Sequence, residues 1–144
     1  MSEAHQEALE ELVHSTSLTS IEFHELHAAR SFEAPTDDPA EQDPSYVMHM
    51  QTRIGESDLG VRVGVRVETY KGIIDVLAAA DYSNAGPAPD DDVMERFATE
   101  VGVMAVVPYL RQAIADLSQR VLGESLLMPI IKREDVRSTK ISDD

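Results

Sequence analysis

Between residues 59 and 67 apolar and other positions alternate without a fault. Leu59, Val61, Val63, Val65 and Val67 fall on one side, and Gly60, Arg62, Gly64 and Arg66 on the other. A period of two is the mark of a strand with one buried face. Residues 46–54 repeat the pattern, with Tyr46, Met48, Met50, Thr52 and Ile54 against Val47, His49, Gln51 and Arg53. Residues 73–82 repeat it again through Ile74, Val76, Ala78, Ala80 and Tyr82. A turn at residues 55–58 and a tight hairpin at Lys71 and Gly72 join the three runs into a meander. An earlier run, residues 20–34, changes phase. Ile21 and Phe23 are apolar on odd positions, then Leu26, Ala28 and Phe32 on even ones. A phase change within one strand predicts a β-bulge and a place at the sheet edge. The loop PTDDPAEQDP, residues 35–44, separates this strand from the meander and is long enough to cross a sheet.

After residue 89 the period changes to that of a helix. Asp90, Asp91 and Asp92 supply N-terminal caps, Val107, Leu110, Ile114, Leu117 and Val121 recur three or four apart, and Gly123 predicts a left-handed end. Residues 101–110 carry no charge on any face. A helix that is apolar all round must be covered all round. One sheet covers one side, so the other side calls for a second subunit, with Val103, Val106, Tyr109 and Leu110 as interface residues. Pro108 cannot donate to the carbonyl of Met104 and predicts a kink. Beyond Gly123, the apolar residues Leu126, Leu127, Met128, Ile130 and Ile131 flank Pro129, which denies them a helix. They predict an extended arm that must lie on something. A short amphipathic helix, residues 2–14, opens the chain, and the polar run STSLTS sets it apart. The expected fold is α+β: a four-stranded antiparallel sheet with a long crossover after strand 1, packed on a long Pro-kinked helix. The expected divisions are a helical extension (1–19), a domain (20–131) and a polar flexible tail (132–144).

Composition narrows the function. The 144 residues suit one domain, and 42% hydrophobic residues suffice for a core. Without cysteine there is neither a disulfide nor a thiolate metal site. Acids outnumber bases 27 to 12, a formal charge of -15 that repels nucleic acid and anionic membranes. No run reaches bilayer length and no leader pattern is present, so a cytoplasmic protein without membrane insertion is expected. His24 and His27 have helical ligand spacing but stand in a strand, where they diverge. The acids of residues 37–43 lack the spacing of a calcium loop, Gly60, Gly64 and Gly72 form no phosphate loop, and no nucleophile elbow occurs. No enzyme, metal or cofactor is expected. What remains is apolar binding. Met48, Met50 and Met128 are flexible and polarizable. The face of Tyr46, Met48, Met50 and Ile54, with the arm of Leu126, Leu127, Met128, Ile130 and Ile131, is the richest candidate. The competing reading makes the same residues core and subunit contact alone.

Three segments in order carry a resemblance. They are SFEAP (residues 31–35), the meander closing before IDVLAAADY, and Val107-Pro-Tyr-Leu-Arg followed by IADLSQRVLGESLLMPI. Together, over roughly residues 21–131, they resemble the bacterial export chaperone SecB and SecB-like proteins. The resemblance implies a dimer of dimers with the long helices between the sheets. It implies an ATP-independent holdase that keeps unfolded preproteins export-competent in apolar grooves and hands them to SecA. It places a SecA-facing surface at Glu33, Ile73 and Asp75, while a further family acid is Ala29 here. It equally admits a SecB-like chaperone dedicated to one client, such as the antitoxin of a toxin–antitoxin pair. A small-molecule-binding α+β protein is the third reading.

Overall fold

The computed structural model describes residues 3–31 and 44–129 and, as backbone, 136–140. Helix α1 (Glu3–Ser15) leads directly into strand β1 (Thr16–Arg30). The meander follows as β2 (Ser45–Ile54), β3 (Asp58–Thr69) and β4 (Gly72–Asn84). A long helix comes next, made of α2 (Asp91–Phe97), a π-helical turn (Ala98–Gly102), α3 (Val103–Leu117) and a second π-helical turn (Ser118–Leu122). The last element is β5 (Val136–Lys140).

The sheet order is β1-β4-β3-β2-β5. The first four strands are antiparallel neighbours, as expected. β1 and β2, consecutive in the chain, stand at opposite ends of those four. The phase change in β1 is a real bulge. Phe23 pairs with Ala78 and Glu25 with Leu77, which leaves His24 as the extra residue. A second shift leaves Thr19 unpaired between Leu18 and Ser20. The hairpin between β3 and β4 turns through Tyr70 and Lys71, one residue earlier than expected, and the Thr69 hydroxyl accepts from the Lys71 and Gly72 amides at 3.0 and 3.2 Å.

Two segments differ from expectation. The polar run at residues 15–20 is no separator, because Thr16, Ser17 and Leu18 pair with Asn84, Ser83 and Tyr82. The junction is fastened as well: the Ser15 hydroxyl donates to Asn84 Oδ1 at 2.8 Å and its carbonyl accepts from Ala85 at 3.0 Å. Ser and Thr satisfy a ladder as well as a turn, and polarity alone did not distinguish the two. The second difference lies in the polar tail, where residues 136–140 run parallel to β2, Met48 in register with Val136 and Thr52 with Lys140.

One face of the sheet carries the core. Leu59, Val61, Val63, Val65, Val67, Ile74, Val76, Ala78, Ala80 and Tyr82 are buried there against the long helix. The helix starts as its acids predict: Asp90 Oδ1 accepts from the Val93 amide at 2.8 Å. It comes close to the sheet at Gly102, where an added Cβ would lie 2.7 Å from Val61. Tyr82 and Phe97 meet edge to face, their ring centroids 5.0 Å apart. Leu9 and Leu12 of α1 complete the core. Gly123 ends the helix in the left-handed region (φ 79°), as its position predicts.

Candidate functional site

The alternation in β2 decides where its side chains go. Met48 and Met50 enter the core at 4% and 0% exposure, with Tyr46 and Ile54 packed at its margin. Immediately after the left-handed turn at Gly123 the chain becomes the arm. Lys71 Nζ reaches Glu124 at 2.8 Å and fastens the start of the arm to the β3–β4 hairpin. The Leu126 amide donates to the Ser118 hydroxyl at 2.8 Å, and that hydroxyl donates to the Ala115 carbonyl at 3.1 Å. A buried serine thus serves both the helix end and the arm. The Tyr46 hydroxyl then donates to the Leu127 carbonyl at 3.1 Å. The arm is extended and its side chains alternate: Leu126 is half-buried, Leu127 is 77% exposed and Met128 is 5% exposed. The apolar arm does lie on the β2 side of the core. Burial raises the pKa of Tyr46 above its ordinary value of 10.0, so it is a neutral donor at physiological pH.

The candidate residues therefore divide. Tyr46, Ile54 and Leu127 are within reach of a partner. Met48, Met50 and Met128 form the floor beneath them and are covered in the single chain. Ile130 and Ile131 lie outside the described residues.

The helix face divides in the same way. Val103, Val106 and Leu110 are at 2%, 0% and 0% exposure, turned into the chain's own core. Of the four residues expected at a subunit interface, Tyr109 alone is open, at 44%, with Met104 near it in the helix at 52%. Tyr109 joins a feature that sequence patterning did not bring out. Phe23 and Leu26, on either side of the β1 bulge, line an open groove of about 400 Å³ with Tyr109, Ala113 and Leu117. Its trace in the sequence was the phase change itself. The bulge keeps apolar residues on the helix side of β1 beyond the point where strict alternation would have turned them away.

On the other face of the sheet, Asp75 is committed. Arg66 Nη1 donates to both of its carboxylate oxygens, at 3.1 and 3.3 Å, while Arg66 Nε donates to Glu68 at 2.8 Å. Ile73 is half-buried and pairs with Ala29, and Glu33 lies outside the described residues. Arg62 donates to Gln51 at 2.7 Å, and Arg53 pairs with Asp58 at 2.8 Å. Arg66 is thus shared by two carboxylates, Glu68 and Asp75, and the three side chains together keep a net negative charge. Among the described residues no group of three or more His, Asp or Glu side chains is placed to hold a metal ion, and no helix is long and apolar enough to cross a membrane.

An antiparallel sheet, a crossover between its outer strands and a long helix followed by an apolar arm define the SecB-like architecture. The comparisons agree. The chain is 27% identical over 138 residues to the SecB-like chaperone SmegB of Mycolicibacterium smegmatis, covering 95% of this chain and 90% of that one. Its fold matches the Mycobacterium tuberculosis Rv1957 SecB-like chaperone, solved in complex with a ChAD peptide from the Rv1956 HigA1 antitoxin. That match has a TM-score of 0.74 at 18% identity and covers 90% of this chain and 96% of the other. No family model matches the chain. In sequence the chain is similar to one SecB-like chaperone, and in fold to another.

Proposed function

We propose that the protein is a chaperone that holds non-native polypeptide on the β2 side of its sheet. The observation that carries this reading is the arm, an extended apolar segment that leaves Leu127 77% exposed beside Tyr46 at the end of the sheet. A folded chain that keeps such a side chain in water has apolar surface to offer. The contacts are few and adaptable, so affinity comes from several such sites acting on one client. Self-association supplies them. The groove of Phe23, Leu26 and Tyr109, beside the edge strand β1, is the face through which copies of the chain assemble, as a tetramer.

Two client ranges fit this surface. One is a general holdase for unfolded proteins. The other is a chaperone dedicated to one client such as an antitoxin, and it is favoured by the antitoxin peptide bound to the similar M. tuberculosis protein. Handover to SecA would draw on Asp75, which shares Arg66 with Glu68 in a group that keeps a net negative charge for a basic partner. The clefts flanking α1 and the helix are open, which fits a small-molecule chamber less well.

Suppression of aggregation measured on several unrelated denatured proteins tests the reading. A general holdase protects all of them; protection of a single antitoxin marks a dedicated chaperone; protection of none rejects both. Leu127→Asp should weaken protection about tenfold, the cost of one buried leucine contact, while leaving the melting temperature unchanged. Unchanged protection in that variant would remove the arm from the site.

A further inference from the structure

The two edges of the antiparallel sheet are not alike. β1 carries two register shifts, and bulges blunt an edge against strand addition. β2 pairs with β3 in continuous register from Ser45 to Ile54, without a bulge or a proline. A long regular edge of this kind is a template for another strand. In this structure it is occupied in part, by the chain's own β5. That strand is a weak occupant. It has five residues, VRSTK, with a single aliphatic among them, and it covers only residues 48–52 of the ten in β2. It is also parallel, the slightly less stable ladder. In sequence the strand and the residues just before it, 132–140, hold four bases and two acids.

We infer that the β2 edge is the docking site for an extended client strand, and that β5 is a resident substitute which the client displaces. The inference rests on the chaperone reading and deepens it. A client strand on this edge pairs its backbone with β2. Its side chains reach the margin formed by Tyr46 and Ile54 and the exposed Leu127. An apolar client segment gains burial there that VRSTK cannot match, so it wins the exchange. The tail shields the edge when no client is present and lowers apparent client affinity by the fraction of time it is undocked.

The test uses the full chain carrying Arg137→Pro together with Ser138→Pro. Neighbouring residues of a strand present their amides to opposite sides, so one of the two prolines removes an amide facing β2. The probe is fluorescently labelled, reduced and carboxymethylated α-lactalbumin, a permanently unfolded chain, followed by anisotropy. The variant should bind it about three- to tenfold more tightly than the natural chain. A synthetic peptide of residues 132–144 should compete with the probe on the natural chain, a result that does not depend on how the variant folds. Amide exchange at residues 48–52 should quicken in the variant and slow again when the probe saturates it. Equal or weaker binding by the variant, no competition by the peptide, or unprotected 48–52 amides under bound probe each overturn the inference and leave the chaperone reading standing. If neither chain binds the probe or any other unfolded protein, the chaperone reading falls and this inference with it.

Discussion

Tyr82 shows how much a single side chain can be asked to bear. Its ring is needed, since it meets Phe97 edge to face and fills the core opposite Leu59. Its hydroxyl is buried and finds no hydrogen-bond partner among the described residues. A buried donor without a partner costs on the order of 1–3 kcal/mol. Tyr82→Phe keeps the ring and removes the cost, so it should stabilise the fold by about 1 kcal/mol, or about 2–4 °C in thermal unfolding. Burial also raises the Tyr82 pKa above its ordinary 10.0. Below pH 10 both folded and unfolded forms are neutral and nothing is lost. As pH rises from 10 through the higher folded pKa, the unfolded chain ionises first and stability falls. Melting curves from pH 9 to 11 should therefore show a steeper alkaline loss in the natural protein than in Tyr82→Phe.

The long helix shows what an element decides that residues alone do not. Its uncharged half reads as a surface in need of covering on all sides, and Val103, Val106, Tyr109 and Leu110 read as one interface. In the folded chain three of these turn inward, and Met104, Pro108 and Tyr109 are left outside. Hydropathy cannot separate them, because valine, leucine and tyrosine serve a core and a subunit contact equally well. The helix phase against the sheet separates them, and Gly102 on Val61 shows where the two meet. Leu110→Ala should cost about 2–5 kcal/mol through the cavity it leaves, and Leu110→Glu should abolish the folded far-UV dichroism rather than dissociate subunits. Tyr109→Glu should keep the dichroism and reduce the mass seen by light scattering. If the mass stays unchanged, the groove of Phe23, Leu26 and Tyr109 is not the face of self-association.

Charge acts at the scale of the whole molecule. A formal charge of -15 over 144 residues repels itself in the folded state. The ion pairs described do not cancel it; the pairs on Arg53, Arg66, Lys71 and Arg120 are surface pairs, weakened by solvent and salt. Raising sodium chloride from about 10 to 150 mM, which shortens the screening length from about 30 to 8 Å, should raise the melting temperature by a few degrees. A flat or falling response would mean that the pairs outweigh the repulsion.

Local pattern was enough for the strands of the meander, the bulge at His24, the acidic helix start at Asp90 and the left-handed stop at Gly123, because each is set by neighbours within a few residues. It was enough for the SecB-like likeness, which rests on segments in order along the chain. It did not reach the pairing of residues 16–18 with β4, the parallel placement of residues 136–140 on β2, or the split of the methionine face into a covered floor and an open rim. Those depend on partners tens of residues away. A polar strand and a polar tail, or a core methionine and a surface one, look alike until the sheet edge and the arm are brought together, and only the folded chain does that.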